Sequence, residues 1–180
     1  MKATGIVRRV DELGRIVVPK EIRRVLHIRE GEPMEIFTGR EGEIILKKYS
    51  PIGDMSKYAK VLAESVAQAT AHLVLISDYD QIISASGHGQ EDYLGRGISD
   101  ELEDIIADQE LKQTDGSKKN AIKVVESRQP VEASMIIQPI NSDGDAIGAV
   151  ILIGSENSVN DADVKLAQVA AEFLRKQMED

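Results

Sequence analysis

Fewer than fifty residues stand ahead of Ser50-Pro51-Ile52-Gly53-Asp54, a run with the composition of a linker. Within them, Thr4 to Val10 alternates as a strand, with Ile6, Arg8 and Val10 on one face and Val7 and Arg9 on the other. Asp11-Glu12-Leu13-Gly14 reads as a turn, and Arg15 to Val18 as a second, β-branched strand. Pro19 suits the first position of a helix, where its missing N–H is not needed. Ile22, Val25 and Leu26 recur at i, i+3 and i+4, so a short helix is expected to bury that side, with Arg23 and Arg24 beside the stripe reaching solvent. Glu30-Gly31-Glu32-Pro33 breaks the helix. Met34 to Thr38 and Ile44 to Tyr49 are two further strands, joined through Gly39-Arg40-Glu41-Gly42. Four short strands and one small helix make a thin core for a monomer. Domains of this size need a metal, disulfides or a second copy. The chain has no cysteine and this segment offers no metal-ligand set, so a dimer is expected.

Charge separates the same segment from the rest. Residues 1–48 hold 11 Lys+Arg against 8 Asp+Glu, a net of +3, and the remainder holds 11 against 23, a net of −12. An acidic chain is repelled by nucleic acid unless its positive charge is gathered on one face. The arginines come in tight sets, Arg8-Arg9, Arg15 and Arg23-Arg24. This asymmetry makes DNA binding the first functional expectation. An aromatic share of 3%, with no Trp, argues against single-strand and RNA modules, which stack bases on aromatic platforms. Absence of cysteine fits a reducing compartment. No apolar run approaches the roughly 18 residues that span a bilayer, and the first residues lack a signal-peptide core, so a cytoplasmic protein is expected.

Beyond the linker, Ser56 to Ala71 is helical, and Ala59, Leu62, Val66, Ala69 and Leu73 step at heptad-like intervals. So short a seam serves a core stripe as well as a coiled coil. A strand at His72 to Ser77, a turn at Asp78 to Gln81 and a strand at Ile82 to Ser86 form a hairpin. Ile98, Leu102, Ile105 and Ile106 mark a helix with Ser99 as its N-cap. Residues 111–121 are polar and read as a loop. Ser134 to Ile140 and Ala146 to Ile153, joined through Asn141-Ser142-Asp143-Gly144-Asp145, give the strongest hairpin signal in the chain. A last helix runs from Asp161 to Met178, with Leu166, Val169, Ala170, Phe173, Leu174 and Met178 as its apolar face. The order predicts an α+β domain, with helices over an antiparallel sheet.

Three stretches carry a resemblance: Thr4 to Arg15 (TGIVRRVDELGR), Val17 to Arg24 (VVPKEIRR) and Leu46-Lys47-Lys48-Tyr49. Together they resemble the N-terminal domain of AbrB-type transition-state regulators. The element order beyond residue 56, with the Asp143 to Val150 hairpin followed by a helix, is similar to sporulation regulators of that family that end in a GAF-like domain. The resemblance implies an N-terminal swapped-hairpin β-barrel at 1–50, dimeric, in which two chains interleave their strands. It implies a linker at 51–55 and a GAF-like sensory or oligomerisation domain at 56–180. It also implies activation and repression of sporulation genes. Carried over residue by residue, the DNA-facing set is Arg8, Arg9, Arg15, Arg23 and Arg24, with Lys2 and Lys20 as helpers.

Arginine suits the task because its planar fork donates to phosphate oxygens or to guanine O6 and N7. The alternative for the same residues is a solvated surface paired with Asp11, Glu12 and Glu21. On a strand Arg8 and Arg9 point to opposite faces. Catalysis finds no support: His27, His72 and His88 lie in separate elements, none with a local Asp or Glu arrangement suggestive of a triad or metal site, and no cofactor is implied. The role of His27 is open, and His88 could line a pocket. Segments 84–97 and 111–121 are candidates to hold an unidentified small-molecule ligand. The first and last helices of the second domain could join two dimers into a tetramer. A competing function is the antitoxin of a toxin–antitoxin pair. Such antitoxins end in a short disordered tail, whereas this chain continues with apolar-patterned elements.

Overall fold

The computed structural model describes residues 5–177, apart from 27, 29, 32, 41, 49–55, 143 and 155–157. The linker assigned to 51–55, Lys2, His27 and Met178 lie outside the described residues. The chain divides into two compact units, residues 1–49 and 50–180.

In the first unit, α1 (Lys20–Val25) starts directly after Pro19, whose extended backbone (φ −56°, ψ 146°) makes it the flanking residue rather than the first helical one. Strands β1 (Met34–Thr38) and β2 (Ile44–Lys48) pair antiparallel from Met34 opposite Lys48 to Thr38 opposite Ile44. The strands expected at 4–10 and 15–18 are not seen: among the described residues, 5–10 and 15–18 have no ladder partner. The apolar side of α1 is not buried either, since Val25 is 75% exposed and Leu26 is largely exposed. Both corrections go with one observation: among the described residues nothing packs over the apolar side chains of these segments. Among the described residues of this unit only Pro19 is buried, while Val7, Val17, Ile36 and Ile44 face solvent.

The second unit has a full core. Helix α2 (Ser56–Thr70) leads to β3 (Leu73–Ser77) and β4 (Ile82–Ser86). Then come α3 (Asp100–Ala107), β5 (Lys112–Asp115), β6 (Ser134–Ser142), β7 (Asp145–Ile153) and α4 (Asp161–Gln177). The sheet is antiparallel with strand order β4-β3-β7-β6-β5. β7 lies at its centre, which is why Ala-Ile-Gly-Ala-Val-Ile-Leu-Ile runs apolar almost without interruption: both of its faces are covered. α2 and α4 pack on one face around Val74, Ile76, Ile136, Val150 and Leu152. α3 and the segments carrying Ile98, Ile122, Val124 and Val125 pack on the other, around Leu75, Ile137 and Ile151.

Local chemistry fixes the ends. Ser99 caps α3 as expected, its Oγ accepting from the Leu102 N–H at 3.1 Å while its hydroxyl donates to the Lys123 carbonyl. Gly116 turns the chain out of β5 at φ +78°, where a Cβ would stand 2.5 Å from the Ser134 backbone nitrogen. The region 111–121 is therefore not all loop. β5 is an edge strand, held by backbone pairing of Lys112 to Asp115 with Ile137 to Ser134. No described helix is long and apolar enough to cross a membrane.

Two helix faces differ from expectation. α2 buries Ala59, Ala63, Val66 and Ala67 and leaves Ala69 exposed. α4 buries Asp163, Ala167, Ala170, Ala171 and Leu174, while Val169 is 66% and Phe173 40% exposed. Small residues face the sheet because they let the helix axes approach it closely, and the larger apolar residues are displaced outward.

Candidate nucleic-acid interface

The basic set of the first unit sits on three pieces of chain. Arg8 and Arg9 are exposed on the extended segment ahead of the turn. Arg15 follows the turn, and Lys20, Arg23 and Arg24 lie on α1. Lys20 and Arg24 are exposed; Arg23 is half-buried, and its Nε is buried without a hydrogen-bond partner among the described residues.

Asp11 builds the turn that carries Arg15. Its backbone N–H donates to the Arg15 carbonyl at 3.1 Å, and its carbonyl accepts from the Gly14 N–H at 3.0 Å. Gly14 makes this possible at φ +76°, a left-handed angle that costs a residue with a Cβ. Oδ1 of Asp11 accepts from the N–H groups of Leu13 (2.9 Å) and Arg15 (2.8 Å), and Oδ2 accepts from Arg15 Nε at 2.7 Å. These bonds, first the Arg15 backbone and then its side chain, hold the Asp11 carboxyl below the usual carboxylate range. Of the acidic partners weighed for the arginines, the structure therefore pairs Asp11 with Arg15. This unit thus exposes several guanidinium and ammonium groups together with uncovered apolar side chains.

The second unit mixes both signs of charge, with Lys112, Lys118, Lys119 and Arg128 among its exposed basic side chains. Its exposed helix faces carry Asp100, Glu101 and Asp104 on α3 and Asp161 and Glu172 on α4. Among the described residues no group of three His, Asp or Glu is placed to hold a metal ion. Of the two segments named as candidates to hold a ligand, 84–97 begins in β4 and 111–121 contains β5, the two edge strands of the sheet. The sheet face toward α3 is filled by apolar side chains such as Leu75, Leu102, Ile106, Ile137 and Ile151. His88 is exposed in the turn after β4. His72 is buried, and its Nε2 lies 3.2 Å from Asp163 Oδ2 across 91 positions of sequence. Sequence reading missed this pair, since no local spacing signals it.

Comparison with known proteins locates the fold. The family described as "Stage V sporulation protein T C-terminal, transcription factor" matches residues 54–179. Stage V sporulation protein T of Bacillus subtilis (strain 168) is 45% identical over 179 residues, 99% of each chain. The chain belongs to the stage V sporulation protein T family of transcription factors. Its first unit is shared more widely. The transition state regulatory protein AbrB of the same organism is 47% identical over 85 residues, 47% of this chain and 88% of that one. The family "Antidote-toxin recognition MazE, bacterial antitoxin" matches residues 7–54. The second unit of this stage V sporulation protein T relative has a GAF fold. It is similar to the GAF domain of Acinetobacter phosphoenolpyruvate-protein phosphotransferase (TM-score 0.57, 12% identity, 69% of this chain and 82% of that one). The cofactor-binding GAF domain of the nutrient sensor CodY from Clostridium difficile is similar too (TM-score 0.53, 16% identity, 66% and 83%).

Proposed function

We propose that the chain binds double-stranded DNA through a dimer of its first domain and thereby activates and represses sporulation genes. The observation that carries this is the coincidence, in residues 5–48, of exposed arginines with apolar residues left bare in a single copy. Burying an exposed Val or Ile side chain contributes about 1.5–3 kcal/mol. Interleaving a second copy as a swapped-hairpin barrel would cover Val7, Val17 and Val25 and give the 5–10 and 15–18 segments their missing strand partners. It would also double every basic contact. Arg8, Arg9, Arg15, Arg23 and Arg24, with Lys20 and Lys2, form the DNA face, ten arginines per dimer. The domain boundaries follow as 1–50, 51–55 and 56–180. The acidity of the second domain confines DNA contact to the first.

The second domain joins two dimers into a tetramer through the outward face of α2 and α4, where Tyr58, Val61, Val169 and Phe173 are exposed. An unidentified small molecule acting on this domain would modulate the assembly. The protein works in the cytoplasm and is not an enzyme. An antitoxin role is the weaker reading: the antitoxin family's match stops at residue 54. A tail that wraps a toxin is also not expected to hold the two-sided core of residues 56–177.

Arg23→Ala and Arg24→Ala test the reading. Each should weaken binding to a short duplex by about tenfold or more, on the scale of 1.4 kcal/mol per decade. Mass by light scattering should not change. Unchanged affinity in both variants would contradict the assignment.

A further inference from the structure

Asp11 is an acidic side chain in the midst of the proposed DNA face, and simple electrostatics says that it should cost affinity for a polyanion. The geometry says otherwise. We propose that Asp11 is a positioning residue for DNA recognition, holding Arg15 by Nε so that the guanidinium meets DNA with its Nη1/Nη2 edge. The proposal rests on the assignment of Arg15 to the DNA face.

A guanidinium has two edges that can each make a pair of hydrogen bonds, one through Nε and one through the two Nη groups. Asp11 Oδ2 takes the Nε edge at 2.7 Å, and among the described residues nothing else takes Arg15. The Nη pair is left in the fork geometry that matches guanine O6 and N7 or two phosphate oxygens. The carboxylate itself has little freedom. Oδ1 is bound by two backbone N–H groups of the same turn, so the ion pair is built on backbone rather than between two loose side chains. A free arginine must give up its rotamer freedom on binding, whereas one already pinned gives up less. The Arg15 side chain is 70% exposed in spite of this pin, so the held group remains accessible.

The test is a double-mutant cycle by fluorescence anisotropy with the full chain and a labelled A·T-rich duplex. Asp11→Asn removes the charge but keeps an oxygen for the turn's N–H groups. Asp11→Ser does the same through its hydroxyl and serves as a second variant. Each should bind about tenfold more weakly than the native chain, the scale of one immobilised side chain, although each adds net positive charge. In an Arg15→Ala background the Asp11 substitutions should have no further effect. Unchanged or tighter binding by both Asp11 variants would overturn the proposal. So would an equal loss in the Arg15→Ala background, because that loss would belong to the turn and not to Arg15. Full affinity in Arg15→Ala alone would instead remove Arg15 from the DNA face, and the proposal with it. Absence of binding by the native chain would sink the functional reading itself.

Discussion

His72 and Asp163 meet in the interior of the second domain, Nε2 to Oδ2 at 3.2 Å, and tie the start of β3 to the first turn of α4. Asp163 is also half of a reciprocal cap. Its Oδ2 accepts from the Asn160 N–H at 2.9 Å, while Asn160 Oδ1 accepts from the N–H groups of Ala162 (2.8 Å) and Asp163 (3.4 Å). At the far end of the same helix pair, Tyr58 of α2 and Phe173 of α4 make an edge-to-face contact with ring centroids 6.5 Å apart. α2 and α4 therefore run antiparallel and are fastened to each other near the Tyr58 end and to the sheet near the His72 end.

Asp163→Ala removes the cap and leaves His72 buried without its partner. It should destabilise the second domain by about 2–3 kcal/mol, the cost of a buried polar group left unpaired together with a lost cap. Asp163→Asn, which can keep the cap, should cost less. Urea unfolding followed by circular dichroism checks both, and a loss below about 1 kcal/mol for Asp163→Ala would contradict the role given to the pair.

Glu172 and Arg175 form a surface pair, Arg175 Nη2 to Glu172 Oε1 at 2.7 Å. The guanidinium beside it holds the Glu172 carboxyl down to about 2, from an ordinary value of 4.5. A depressed carboxylate favours the folded state above its ordinary value, and that contribution fades as pH falls from about 4.5 through about 2. Exposure and salt make the contribution small. Carbon-detected NMR titration should place the midpoint near the lower figure, and Arg175→Gln should return it toward the ordinary one.

Gly116 and Gly144 separate backbone strain from collision. Both have positive φ, +78° and +91°, but a Cβ at Gly144 meets nothing within 4 Å, whereas at Gly116 it meets Ser134 N at 2.5 Å. Gly144→Ala should cost about 1–2 kcal/mol, the cost of the left-handed angle. Gly116→Ala should cost clearly more, as thermal unfolding of the two variants will show.

The outward face of α2 and α4 is the proposed seam between dimers. Val61→Asp and Val169→Asp place charge on exposed positions, so the domain should keep its helical content while the tetramer falls to dimers in light scattering. Retention of the tetramer would place the seam elsewhere.

Much of the second domain was legible because its signals are local. Ser99 stands before the apolar steps of α3, and the 134–153 hairpin sets two apolar runs on either side of a Gly-containing turn. β5 was not, because Lys112-Gln113-Thr114-Asp115 has no apolar alternation and is held at the sheet edge by backbone pairing and a buried Thr114 hydroxyl rather than by apolar side chains. The α4 face was misread by counting large residues: Val169 and Phe173 point outward while Ala167, Ala170 and Ala171 pack inward. His72 and Asp163 were invisible because only the fold brings them together. In the first domain the alternation of Thr4 to Val10 was plain, but alternation does not say which edge a strand pairs with, and residues 5–10 pair with no strand among the described residues. The basic clusters could be read directly, whereas the capture of Arg15 by Asp11 needed the turn geometry.

A basic face on an acidic chain should bind DNA in a salt-dependent way, which fluorescence anisotropy of the full chain with a short A·T-rich duplex across a salt series will read. A dimeric arginine face should give a log–log slope of about −5 or steeper, since each neutralised phosphate contributes about −0.9. A slope near zero, or absence of binding at low salt, would contradict the account.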